Sequence, residues 1–116
     1  VAVVSGGFTE IISPILDTLK ISRYRANSLE IIDGKLSGKV QGRIIDRRAK
    51  AEFLKEIASS SGIPISNTVA IGDGANDIDM IQTAGIGVAF CAKTALIEVA
   101  DRVINTRDLR EVLKVI

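Results

Sequence analysis

The feature that most constrains the fold is an eleven-residue stretch in the second half of the chain, residues 69–79, which reads VAIGDGANDID. Its aliphatic start, bounded by glycine, predicts a short buried strand over 69–71. Gly72 and Gly74 permit tight turns and a close approach of a ligand to the backbone. A helix is expected directly after this loop. The stretch therefore indicates a strand–loop–helix unit of the kind that builds parallel sheets.

The loop in this stretch carries two acidic side chains four residues apart, Asp73 and Asp77. Carboxylate oxygens are the ligands that hard cations such as Mg2+ prefer, so the loop is a candidate metal site. A structural explanation is also open, because Asp and Gly are common turn residues and Asp77 could cap the following helix. The loop alone does not decide between the two.

Short apolar runs alternate with amphipathic segments along the chain, which predicts a parallel sheet covered by helices on both faces. Asp33-Gly34-Lys35 indicates a hairpin turn within residues 26–41. Pro14 is expected to kink the first helix or to mark its start, and Asp46 is expected to cap a later helix that Gly62 ends. The expected strands are 1–4, 26–32, 36–41, 69–71, 86–90 and 102–104, and the expected helices are 9–19, 46–60, 77–84, 94–100 and 108–115.

Composition excludes several classes of function. The absence of histidine removes Ser-His-Asp and Cys-His catalysis and imidazole metal sites. With 15 basic and 14 acidic residues the net charge is +1, so no binding of nucleic acid or of an anionic membrane is expected. No apolar run approaches the roughly 20 residues that a membrane-spanning helix needs. Cys91 is the only cysteine, which excludes an intrachain disulfide and is compatible with the cytoplasmic location that we expect.

Two loops are expected to meet at one edge of the sheet, because ligands of parallel sheets bind beyond the carboxyl ends of the strands. They are Ser5-Gly6-Gly7 and the acidic loop 73–77. The Ser5 hydroxyl and the N–H groups of Gly6 and Gly7 could cradle a phosphate, and Lys50, one turn into its helix, could neutralise it. Each feature also has a structural explanation, since the glycines could form a plain turn and the lysine could be solvated.

The order Ser5, Lys50, Asp73, Asp77 resembles the second, third and fourth motifs of the haloacid dehalogenase superfamily of phosphohydrolases. Longer stretches resemble the phosphoserine phosphatase family over essentially all 116 residues. The combination of SGGF with GDGANDIDM is specific, whereas GDGxND alone also occurs in P-type ATPases. The matching stretches are VVSGGF, NSLEIIDGKLSGKVQG, AKAEFLKEIA, TVAIGDGANDIDMI, AFCAK and RDLREVL.

The resemblance implies Mg2+-dependent hydrolysis of O-phospho-L-serine to serine and phosphate, the last step of serine biosynthesis, through an aspartyl-phosphate intermediate. Lys50 would stabilise charge in the transition state and Asp73 would ligate Mg2+, so these two are the implied catalytic residues. Asp77 would hold the metal shell through water or hydrogen bonds. The implied phosphate and substrate contacts are Ser5, Gly6, Gly7, Lys50 and Asn76.

The sequence departs from this family in one respect. The DxDxT motif that supplies the nucleophile does not occur in the 116 residues, and neither do the helices that cap the substrate. We therefore expect residues 1–116 to form a single, partial core domain: α/β, with an incomplete three-layer parallel sheet of the Rossmann-like, haloacid dehalogenase type. The absent strand would lie between the strands at 1–4 and 69–72. The chain would then need an additional N-terminal segment with the nucleophilic aspartate, and would be inactive alone.

Two alternatives to a phosphoserine phosphatase stay open. One is a related phosphatase that acts on another small phosphate ester, because the residues that select the substrate would lie in the cap. The other is a non-catalytic module that binds Mg2+ or phosphate, because the nucleophile motif is missing. The sequence does not indicate an oligomeric state.

Overall fold

A computed structural model describes all 116 residues, and it confirms the expected alternation of strands and helices. Three short 3-10 helices lie at Ile65–Asn67, Ala75–Asp77 and Leu109–Lys114. The strands are β1 (Val3–Phe8), β2 (Tyr24–Ile32), β3 (Lys35–Gln41), β4 (Val69–Gly72), β5 (Ile86–Phe90) and β6 (Arg102–Ile104), and the α-helices are α1 (Thr9–Thr18), α2 (Arg47–Ser60), α3 (Ile78–Thr83) and α4 (Thr94–Ile97).

The strands form two three-stranded sheets. In the first, β1 and β2 are parallel and β3 returns antiparallel to β2, which confirms the predicted hairpin. In the second, β4, β5 and β6 are all parallel. β1 and β4 are edge strands that do not pair with each other. The architecture is α/β with an incomplete parallel sheet, as the sequence predicts.

The structure differs from three local expectations. Ser5-Gly6-Gly7 is not a loop after β1 but lies inside it, where the register with β2 is irregular between Val4 and Phe8. Pro14 does not mark the start of α1, since the helix begins at Thr9 and runs through Pro14 to Thr18, and a kink there stays a prediction. The last segment, 109–114, is a 3-10 helix. There Val112 and Val115 both pack against the second sheet, and the three-residue period of a 3-10 helix places them on one side.

The apolar core lies around the second sheet. One face, with Ala70 and Ala89, packs against Met80 and Ile81 of α3 and against Leu96. The opposite face, with Val88 and Ile104, packs against Val112. No helix has both the length and the apolar character needed to cross a membrane. The packing of this buried sheet fixes the position of the acidic loop, because the loop connects β4 to α3.

Helix α2 connects the two sheets. It packs extensively on α3 and also contacts β1. The Asp46 side chain accepts a hydrogen bond from the Ala49 backbone N at 2.8 Å, which confirms the predicted N-cap. Lys50 follows in the first turn and is among the buried residues of the helix.

Candidate active site

The acidic loop is organised by Asp77. Its buried carboxylate accepts hydrogen bonds at Oδ2 from the backbone N of Asp73 at 3.1 Å and of Gly74 at 3.3 Å. The carboxylate lies so close to the end of β4 that a Cβ on Gly72 would sit 2.6 Å from the Asp77 Cβ. Glycine is therefore required there. The expectation that Asp77 caps the following helix is wrong for α3, because the Asp77 side chain forms no cap hydrogen bond there. Its carboxylate instead binds the backbone N–H groups of Asp73 and Gly74, at the start of the 3-10 helix Ala75–Asp77.

The other oxygen of Asp77 binds Lys50. The distance from Lys50 Nζ to Asp77 Oδ1 is 2.7 Å, and each side chain is only 7% exposed. The explanation of Lys50 as a solvated helix lysine is therefore wrong. A buried pair of this kind offsets a large desolvation penalty only when its geometry is good and its remaining polar atoms are bonded. Here both Asp77 oxygens have partners, so the pair locks α2 to the acidic loop.

Asp73 is placed differently from Asp77. It is exposed, its backbone O accepts a hydrogen bond from Lys93 N, and its carboxylate forms no hydrogen bond or ion pair within the chain. It lines an open pocket of about 440 Å³ at the carboxyl ends of β4 and β5, together with Ile71, Gly72, Phe90, Cys91 and Arg107. This is the one carboxylate of the loop that is available to a ligand.

The predicted phosphate cradle has its own internal geometry. The Gly7 backbone N donates to Ser5 Oγ at 2.9 Å, so the Gly7 N–H is directed at the serine rather than outward. Gly6 is exposed, and its backbone O accepts from Asn27 Nδ2 at 2.9 Å. Asn76 is exposed within the acidic loop, with its Oδ1 close to Gly74. Hydrogen bonds connect Lys50 to Asp77 and Asp77 to the backbone of Asp73, whereas Ser5, Gly6 and Gly7 lie on β1, a strand that contacts α2.

The loop can be tested against the Mg2+ that the sequence implies. No group of three or more His, Cys, Asp or Glu side chains lies together in the chain. Both Asp77 oxygens are bonded to Lys50 and to backbone N–H groups, so Asp73 is the carboxylate that fits a direct ligand. Mg2+ is often held by one or two carboxylates with water and substrate phosphate. The residues therefore fit Mg2+ as a partial site, with Asp73 as ligand and Asp77 shaping the loop.

The sequence analysis did not predict two residues that contribute to the site or to its support. Arg107 lines the Asp73 pocket although it lies in a turn far along the chain. Asn27 is buried in β2 and binds the Gly6 backbone. Of the two, only Asn27 could have been predicted from the sequence. An asparagine in the middle of a strand is unfavourable unless its side chain forms specific hydrogen bonds.

Comparison with known families is consistent with this geometry. The profile of the haloacid dehalogenase-like hydrolases matches residues 10–116. The chain belongs to this family.

Within the family, the chain is similar to phosphoserine phosphatases. It is 51% identical to the phosphoserine phosphatase of Methanocaldococcus jannaschii over 116 residues, which is 100% of this chain and 55% of the relative. Two solved structures each show a TM-score of 0.92 and 50% identity, covering 99% of this chain and 55% of theirs. One is a phospho-aspartyl intermediate analogue of phosphoserine phosphatase and the other a substrate-bound phosphoserine phosphatase complex. The chain thus spans about half the length of these relatives.

Proposed function

We propose that the chain is the phosphate- and metal-binding half of a Mg2+-dependent phosphoserine phosphatase. The observation that carries the proposal is the buried pair of Lys50 and Asp77, in which Asp77 also binds the backbone N of Asp73, the residue whose carboxylate is free. The pair supports a fixed cation in Lys50 and a metal ligand in Asp73 near the carboxyl end of β4, the part of a parallel sheet where such folds bind ligands. The similarity to phosphoserine phosphatases supports O-phospho-L-serine as the substrate.

Lys50 is suited to bind a phosphoryl group. Its ammonium has three donors and one of them is used by Asp77, which leaves two for phosphoryl oxygens. Ser5 and the Gly6 N–H would contact the phosphoryl group from β1, and Asn76 would contact phosphate or substrate from the loop. Bound Mg2+ would neutralise charge on the phosphoryl oxygens, with Asp73 as its ligand. Because the ion pair with Asp77 holds Lys50 in place before the reaction, its ammonium would stabilise the transition state without reorganising.

The nucleophile is proposed to come from an additional segment. The phosphoryl group would pass to an aspartate carboxylate as the bond to the serine oxygen breaks, and water would then cleave the aspartyl phosphate. We place that aspartate on a strand between β1 and β4. Both are unpaired edges, and Val4 of β1 packs against the apolar cluster that contains Ala70 of β4. Residues 1–116 would then be a partial core domain that is inactive alone.

The test measures phosphate release from phosphoserine by the full-length protein with Mg2+. Asp73→Asn keeps the side-chain shape but removes the charge that binds the metal, so turnover should fall by about 10²–10³. Asp17→Asn is the matched control, because Asp17 is exposed on α1 outside the site. EDTA should abolish turnover by the wild type. Near wild-type turnover by Asp73→Asn would reject the metal role, and a clear preference for another phosphate ester would reject phosphoserine as the substrate.

The additional segment has its own test. Residues 1–116 alone should release no phosphate from phosphoserine, and adding the segment that carries the nucleophile in trans should restore release. Turnover by residues 1–116 alone, lost on Asp73→Asn, would show that the nucleophile lies within the chain.

A further inference from the structure

Three polar or charged residues of the chain are buried, and one of them lies outside the proposed machinery. They are Lys50, Asp77 and Asn27, the last of which is 7% exposed in β2. A polar side chain in such a position is costly unless its donors and acceptors are bonded. What Asn27 binds therefore shows why it is buried there.

Asn27 connects two segments that are distant in sequence. Its Nδ2 donates to the backbone O of Gly6 at 2.9 Å, and its Oδ1 accepts from the backbone N of Ile45 at 2.7 Å. Ile45 is itself buried and directly precedes Asp46, the N-cap of α2. The two bonds fix the amide orientation, because the flipped side chain would set an oxygen against a carbonyl and an N–H group against an N–H group.

We propose that Asn27 is a positioning residue for the phosphate site, holding the Gly6 segment at a set distance from the start of α2 and thus from Lys50. This inference rests on the proposed function of that site. A further bond ties the same residue to the start of α1, since Thr9 Oγ1 donates to the Asn27 backbone O at 3.2 Å. Asn27 therefore holds three chain segments together, two of which carry phosphate ligands.

The irregular register of β1 explains why such a residue is needed. β1 pairs with β2 at Val3, Val4 and Phe8, but the register shifts between Val4 and Phe8. The phosphate cradle lies in this irregular part, where the regular ladder does not hold the backbone. Asn27 substitutes a side-chain bond for the missing ladder bond. Without it, the Gly6 carbonyl and the Ile45 N–H would lose their partners, and the cradle would shift relative to Lys50.

The experiment uses the full-length protein, with inorganic phosphate as the binding probe and phosphoserine turnover as a second readout. Asn27→Leu keeps the approximate volume but removes both bonds. A displacement near 1 Å can reduce catalysis about 10²-fold, and we expect a loss of kcat/KM approaching that size. The loss should lie mainly in a higher KM and weaker phosphate inhibition. The Mg2+ concentration for half-maximal activity should not change, because Asp73 lies in the acidic loop and does not contact Asn27.

Asn27→Ser serves as the second variant in case the leucine variant does not fold. Its hydroxyl can bond one partner at a time, so its phosphate affinity should lie between those of wild type and Asn27→Leu. The control is Val112→Ala, which removes buried apolar contacts on the far face of β5 and β6. It should lower stability and leave phosphate affinity unchanged.

Two results would overturn the inference. One is wild-type phosphate affinity in a folded Asn27 variant. The other is an equal loss of phosphate affinity in Val112→Ala, since that would show a general effect of stability. The proposed function fails separately, if the wild type releases no phosphate from phosphoserine. Direct binding of inorganic phosphate then still decides the role of Asn27.

Discussion

The two sheets differ in what their strands bury. β4, β5 and β6 contribute four buried apolar residues, Ala70, Val88, Ala89 and Ile104, and both faces of this sheet are covered. β1, β2 and β3 contribute no buried apolar residue, and their one buried side chain is Asn27. β3 is exposed along its whole length. Hydrophobic burial therefore stabilises the second sheet, whereas the first depends on hydrogen bonds and on its neighbours.

This difference assigns separate tasks to the two parts of the proposed site. The acidic loop follows β4 of the buried sheet, so the packing of that sheet stabilises the backbone of the loop. The proposed phosphate cradle, Ser5-Gly6-Gly7, lies on an edge strand of the less buried sheet, where side-chain bonds hold it. α2 and the pair of Lys50 with Asp77 join the two parts. The following substitutions in the full-length protein test that division.

The largest effect on stability is expected from Lys50→Met. The substitution leaves the Asp77 carboxylate buried without its ion-pair partner, which typically costs about 3–5 kcal/mol. Urea denaturation measures the change in the free energy of unfolding. Arg25→Met is the control, because Arg25 and Glu56 form an exposed pair and should matter little. Equal unfolding midpoints for the two variants would contradict the conclusion that the buried pair of Lys50 and Asp77 stabilises the contact between α2 and the acidic loop.

The next prediction compares how much a leucine contributes to stability in each of the two sheets. Leu96 is fully buried against the second sheet, and Leu96→Ala should cost about 2–5 kcal/mol through lost contacts and the cavity left behind. Leu36 in β3 is 65% exposed, and Leu36→Ala should change stability by no more than about 0.5 kcal/mol. Hydrogen exchange should likewise be slower for β5 amides than for β3 amides. Similar losses for both leucines would mean that the sheets do not differ in this way.

A smaller effect is expected at the start of α2. Asp46→Ala removes the N-cap bond to Ala49 and should cost about 0.5–2 kcal/mol. Because this helix carries Lys50, phosphate affinity should also fall. Asp17→Ala, an exposed change in α1, is the control for both measurements. A stability loss without any change in phosphate affinity would show that the cap does not help to place Lys50.

The smallest effect concerns surface charge on α2. The pKa of Glu52 lies below its ordinary value, chiefly because Arg43 donates a hydrogen bond to it, with Arg48 adding attraction. The unfolded state then binds more protons, so this pair stabilises the fold above the ordinary glutamate pKa and the contribution is lost as pH falls through the lowered pKa. Glu52→Gln should flatten this part of the acid dependence of unfolding, and high salt should weaken the effect. If the stability of Glu52→Gln depended on pH as that of the wild type does, the contribution of Glu52 would be contradicted.

The sequence by itself determined the features that rest on local chemistry. Alternating apolar runs set the order of strands and helices, Asp33-Gly34 set the hairpin turn, and Asp46 capped α2 as expected. The strand before the acidic loop was also predictable, because a short aliphatic run bounded by glycine has few other conformations. Each of these signals lies within a few residues of the structure that it specifies.

Tertiary structure decided which polar side chains are buried and what they bind. Lys50 has the same local context whether it is solvated or paired, and its partner Asp77 lies 27 residues away. Asn27 bonds to Ile45 across 18 residues and to Gly6 across 21. Lys50 reaches Asp77 through the packing of α2 against the acidic loop and α3, whereas Asn27 reaches Gly6 through the pairing of β1 with β2. Local sequence patterns do not predict these hydrogen bonds, because the bonds depend on how separate elements pack against one another.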